Sequence, residues 1–208
     1  MFRRLCIATA FLLAGSAALA LADDAKSQPA ASVDSPKAAL RSQDAAARSG
    51  NVGADMAFYQ AEGDQQQKLA RTLAEGDLAV ARLEKAVAQR FGKDLAAQAV
   101  RAAGTEDVAA VDAAGEKIDD DHATIQFRDQ QSAVPMVRVD GKWKVSLSEW
   151  TQGASPAQVD HLIESLGKLA AGINHIADLV EHEKFRSGEG ARDHVQELHD
   201  SLFGANSH

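Results

Sequence analysis

Tyr59, Asp112 and His122 are the side chains of this 208-residue sequence best suited to acid–base chemistry. A carboxylate beside a histidine or tyrosine in an apolar pocket works as a general acid and base pair, because burial and a charged neighbour move the two pKa values apart. The three are distant in sequence, so only a fold that closes a sheet over helices can gather them. Their plainer roles are Tyr59 as a core residue with its hydroxyl at the rim, Asp112 on a strand edge and His122 at the start of a strand. No GxSxG, P-loop or GxGxxG pattern occurs, which leaves nucleophilic and nucleotide chemistry without an anchor.

Metal chemistry has a weaker case. His175, Asp178 and His182 stand at i, i+3 and i+7 and share one face of a predicted helix. That face also carries His161, Glu164 and Lys168, opposite an apolar stripe, which is how an ordinary solvated helix surface reads. With no HExxH and no paired-cysteine spacing, the expectation is no metal site and no cofactor. Trp143, Trp150 and Arg138 are candidate ligand contacts, since a tryptophan ring stacks on a sugar or peptide and a guanidinium pairs with anions. Core packing is the plainer role for Trp143, while Trp150, of opposite parity and just past the strand, suits a rim.

The first 22 residues, MFRRLCIATAFLLAGSAALALA, have the three parts of a secretory signal peptide. Arg3 and Arg4 give the positive start, Cys6 to Leu13 the apolar core, and Ala20-Leu21-Ala22 a small-x-small site that places cleavage before Asp23. The apolar run is short of the roughly 20 residues a spanning helix needs. The expectation is an exported protein, periplasmic or secreted, whose mature form is soluble and has no membrane span. Cleavage removes the single cysteine, so the mature chain has no disulfide to rely on, and it deepens the formal net charge beyond −8. An acidic chain without clustered Lys and Arg is a poor ligand for nucleic acid or an anionic membrane surface.

Residues 23–34 are polar, small and proline-bearing, and read as a disordered leader. A single α+β domain is expected over 35–186, with a C-terminal helix and tail over 187–208. Ser35-Pro36 has the form of an N-cap with proline at N1, opening a helix to Arg48. A helix of about three turns carrying Met56, Phe58 and Tyr59 follows, broken by Gly63. Asp64 with Gln67 resembles a capping box for the longest helix, whose Leu69, Leu73, Gly76, Val80, Leu83 and Val87 recur every three or four residues as far as Arg90, with Gly92 as a left-handed cap. Lys93 to Ala103 is a shorter helix.

The period then changes to two. Val108 to Ile118 is a weak strand candidate and His122 to Arg128 a clear one, with Ala123, Ile125 and Phe127 on one face. The strongest local signal is VPMVRV-DG-KWKVSLSEW, a hairpin on an Asp140-Gly141 type I′ turn. Its register sets Arg138 opposite Trp143, Met136 opposite Val145 and Val134 opposite Leu147, with Arg138 over the Trp143 ring. Ser155-Pro156-Ala157-Gln158 opens a second long helix to about Lys184, and a last helix spans Ala191 to Phe203. The fold class is α+β: long N-terminal helices on a small antiparallel sheet of three to four strands, then two C-terminal helices.

Helices first and then a VDGKWKV hairpin, with Arg138 to Ser146 matching the pattern xVDGxWKVxx, resemble the nuclear transport factor two-like superfamily over roughly residues 52–150. In that superfamily a curved antiparallel sheet wraps helices into a cone, and exported bacterial members carry strands of this type. The resemblance implies a cone-shaped pocket and carries over no catalytic residue. The leading expectation is a non-catalytic exported protein that binds a small ligand or an envelope protein. The alternative is an isomerase, dehydratase or hydrolase using the cone pocket, and a third reading is a helical assembly module built on the Leu69 to Val87 seam.

Overall fold

The computed structural model describes residues 11–12, 35–106, 108–128 and 133–204. The segment over 1–22 expected to be a signal peptide, apart from Phe11 and Leu12, and the expected leader over 23–34 lie outside the described residues. In chain order the elements are β1 (Phe11–Leu12), α1 (Pro36–Arg48), α2 (Val52–Met56), β2 (Tyr59–Gln60), α3 (Gly63–Phe91), α4 (Lys93–Ala102), β3 (Thr105–Glu106) and α5 (Val108–Ala113). Then come β4 (Gly115–Asp119), β5 (His122–Gln126), β6 (Val134–Val139), β7 (Lys142–Ser146), α6 (Leu147–Trp150), α7 (Pro156–Glu181) and α8 (Gly188–Phe203).

The strong capping signals produce the helices they announce. The Ser35 hydroxyl accepts from the Ala38 amide at the head of α1, and Ser155 with Gln158 closes a full capping box on α7. The Asp64 box does not form: α3 starts two residues earlier, its N-cap Glu62 makes no side-chain cap, and the Gln66 amide oxygen instead accepts from the Glu62 N–H. Gly92 ends α3 with φ 96° and ψ 162°, an extended conformation of positive φ rather than the left-handed cap expected, and the same residue starts α4.

The fold is α+β with a five-stranded mixed sheet in the order β2-β7-β6-β5-β4. Strands β4 to β7 form an antiparallel meander, and the two-residue β2 adds in parallel to β7. That short strand replaces the second turn of the expected helix at Phe58 and Tyr59. The free edge of β7 captures the backbone there, through Val145 N–H to the Phe58 carbonyl at 2.8 Å. The weak strand at Val108 to Ile118 also divides, into α5 and β4. A separate two-residue ladder pairs β1 with β3 in parallel.

The hairpin register is the expected one at Arg138↔Trp143 and Met136↔Val145. Asp140 and Gly141 both have positive φ, 52° and 76°, as a type I′ turn requires. Leu147 is not paired with Val134, because the Ser146 hydroxyl caps α6 and turns the chain into a helix at that point. Val134, Met136, Trp143 and Val145 join Ala123, Ile125 and Phe127 on one buried sheet face that belongs to the core cluster.

Behind that face α3 packs along α7. Leu69, Leu73, Leu83 and Val87 of α3, with Leu166, Leu169 and Ile173 of α7, are buried, each side chain adding about 1.5–3 kcal/mol of burial free energy. The seam offered above for assembly is thus consumed within the chain. Helix α8 closes on α4 and α7, burying Ala191 and Val195.

Candidate functional site

The same amphipathic logic that builds the core delivers polar groups into it. On α1 the inward stripe runs Leu40, Gln43, Ala47, and on α3 it runs Leu73, Asp77, Val80, so Gln43 and Asp77 occupy apolar positions. Asn51 caps α2 by accepting from the Ala54 amide, which turns Asp55 inward. Pairing of β2 with β7 brings in the Tyr59 hydroxyl.

These four side chains meet. The Gln43 amide donates to the Tyr59 hydroxyl at 2.6 Å and to Asp77 Oδ2 at 3.1 Å, and the Tyr59 hydroxyl donates to the same Asp77 oxygen at 2.9 Å. Asp55 is 0% exposed, Asp77 3% and Gln43 5%. Among the described residues, neither Asp55 oxygen nor the Gln43 carbonyl oxygen has a hydrogen-bond donor. The nearby cation, Arg48, is engaged by Asp44 at 3.2 Å and Glu84 at 2.8 Å.

Burial sets the electrostatics. Desolvation, opposed by the neighbouring Asp77 and Gln43 and reinforced by the Asp44 charge, pushes the Asp55 carboxyl up from 3.8 to about 7. Asp77 is pushed well above the carboxylate range, by burial first and then by the Asp55 charge. Tyr59 rises for the same reasons, so its phenol stays protonated and remains a donor. A cavity of about 20 Å³, room for one water molecule, is lined by Gln43, Tyr59 and Asp77 with Leu73, Val134, Val145 and Trp150.

Of the acid–base candidates, Tyr59 lies in this cluster and the other two lie elsewhere. Asp112 is on helix α5, not on a strand edge, half-exposed and paired with Arg41. His122 starts β5 as expected but is exposed, with Nδ1 2.9 Å from Glu149. The carboxylates gathered with Tyr59 are Asp55 and Asp77, neither of which is among the residues the sequence singles out. Their signal was present: Asp77 follows Leu73 by four residues and precedes Val80 by three.

Among the ligand candidates, Trp143 is 3% exposed and belongs to the core. Arg138 lies 5.3 Å above its ring while bonding Asp121 at 2.8 Å. Trp150 is half-buried at the cavity wall. Asp178 is held by Arg82 at 2.5 Å, and His182 Nδ1 meets the Asp178 carbonyl. Among the described residues no group of three or more His, Cys, Asp or Glu is arranged to hold a metal ion, and no helix is long and apolar enough to cross a membrane. Ser165 and Lys168 have the spacing of a serine–lysine pair, but Ser165 is buried while Lys168 is exposed and bound to Glu164 at 2.6 Å.

A larger, open recess of about 1110 Å³ lies over α3, between the α1–α2 corner, α4 and α7. Its floor is made of small side chains such as Ala81, Ala97 and Ala171, and the exposed ammonium groups of Lys85 and Lys93 stand on its walls. Comparison with family models, with curated proteins and with solved structures found no match to this chain.

Proposed function

We propose that this chain is an exported, non-catalytic protein that binds a small ligand or an envelope protein partner through the recess over α3. One observation carries the reading: the space between the sheet and α3 is packed by Trp143, Phe127 and leucines down to about 20 Å³, whereas about 1110 Å³ is open on the far side of α3. A cavity for one water molecule admits no substrate, and ligand sites measure roughly 300–1,000 Å³. Export rests on the signal-peptide pattern of residues 1–22. Kinship with the nuclear transport factor two-like superfamily rests on the VDGKWKV hairpin and on a meander with helices on its inner face.

Ala171 is exposed in the recess, so Ala171→Trp projects an indole into it and obstructs it without touching the core. Molecules or envelope proteins that raise the melting temperature of the wild type are expected to leave Ala171→Trp unmoved; equal binding by both places the site elsewhere. N-terminal sequencing of protein recovered from the envelope is expected to begin at Asp23, and a retained Met1 would remove the cleaved signal-peptide reading, while absence of the protein from the envelope would remove the export reading. The second reading, a small-molecule isomerase, dehydratase or hydrolase, is favoured by the phenol and carboxyl groups gathered at Tyr59, Asp55 and Asp77. It requires α6 to swing away from the cavity, and turnover that Tyr59→Phe abolishes is its test.

A further inference from the structure

Asp55 and Asp77 sit together in the core, and among the described residues no cation stands between them. Two ionised carboxylates in that position would each forfeit their hydration with no compensating charge. The hydrogen-bond inventory points the same way. Three buried acceptors, both Asp55 oxygens and the Gln43 carbonyl, lack a donor, while the available donors, the Gln43 amide and the Tyr59 hydroxyl, already converge on Asp77 Oδ2. One proton on the pair removes a buried charge and supplies a missing donor.

The groups facing the pair do not replace that proton. From α1 come Asp44, which adds negative charge, and Arg48, which is divided between Asp44 and Glu84. From α3 comes Glu84, itself pushed upward by burial. β2 contributes the neutral Tyr59, while β7 and α6 contribute Val145 and Trp150 at the cavity.

The two partners are held very unequally. Asp77 lies in the middle of the 29-residue α3, locked against α7. Asp55 lies on the five-residue α2, which rests on α1 and α3 and is joined to the sheet through a two-residue ladder, Tyr59↔Val145 and Gln60↔Ser146, and the bond to the Phe58 carbonyl. Repulsion between the carboxylates will therefore displace the weaker element. We infer that Asp55 and Asp77 share one proton and act as a pH-sensitive latch, whose deprotonation releases residues 52–60 from the edge of β7 and opens the cavity at Tyr59 and Trp150.

The test is amide hydrogen exchange of the full chain at about pH 5.5 and about pH 8.5, each corrected for intrinsic exchange. Protection across residues 52–60 is expected to fall by about tenfold or more at the higher pH, while the α3–α7 amides hold. Asp55→Asn, whose amide mimics the protonated carboxyl in shape and donor capacity, should abolish the difference. Carbon-13 labelling of aspartate in the wild type provides a readout independent of any variant: at least one carboxyl should remain protonated at about pH 5.5, above the ordinary aspartate range. Unchanged protection, persistence of the pH dependence in a folded Asp55→Asn, or complete ionisation of the aspartates at about pH 5.5 overturns the latch. So does restoration of protection at about pH 8.5 by calcium or magnesium, which would make the counter-charge a cation rather than a proton.

Discussion

Raising the pH should destabilise this protein in a range where most acidic proteins are indifferent. The Asp55 carboxyl stands near 3.8 in the unfolded chain and at about 7 in the fold. A carboxyl whose folded value is raised contributes stability that is fully present below the unfolded value and is lost as pH climbs through the folded one. The whole effect is ~4 kcal/mol, of which about 3 kcal/mol falls between pH 5 and 8. Against a typical total of 5–15 kcal/mol that is a large fraction. Asp77 and Glu84 are raised and act with the same sign. Glu164 is lowered by Lys168 but is fully exposed, so it offers no counterweight. The assay is urea denaturation followed by far-UV circular dichroism at fixed pH steps, with the midpoint falling as pH rises and levelling off above about pH 8. The levelling has a second source, since release of residues 52–60 would rehydrate Asp55 and cap the loss at the free energy of that local opening. Asp55→Asn should flatten the profile. A wild-type stability that is constant or increasing from pH 5 to 8 refutes the reasoning, because it would mean that the Asp55–Asp77 pair takes up no proton on folding.

Three further outcomes are expected. Gly92→Ala should cost about 1–3 kcal/mol by urea denaturation, because φ 96° with ψ 162° is a backbone state in which a Cβ is strained although no neighbour crowds it. Leu83→Ala, at the fully buried α3–α7 seam, should cost about 2–5 kcal/mol, whereas Ile118→Ala on the exposed edge strand should stay within about 0.5 kcal/mol. Arg138→Ala should cost about 1 kcal/mol and shift the near-ultraviolet signal of Trp143, as the guanidinium over the ring and its bond to Asp121 are lost together.

The buried polar cluster also explains how so small a strand as β2 keeps its place. Two residues of parallel ladder are marginal alone. Tyr59 adds two hydrogen bonds into the core from that strand, to Gln43 and Asp77, so the attachment of 52–60 depends on polar contacts more than on burial. Such an attachment responds to protonation; an apolar one does not.

Whatever depends on neighbours along the chain was legible in the residues alone. Ser35-Pro36 and Ser155-Pro156 set helix starts because a hydroxyl and a fixed φ act within one turn. Asp140-Gly141 set the hairpin and its register because two positive φ values admit few residues. The α3 and α7 stripes declared their buried faces through helical period. Tertiary structure decided the rest. Residues 57–60 have helical patterning, yet the open edge of β7 offered hydrogen bonds that a frayed helix end could not match. Gln43, Asp55, Tyr59 and Asp77 come from four elements, and no spacing along the chain encodes their meeting. Their proton is a property of the assembled core alone, because only there are two carboxyl groups deprived of water and held side by side.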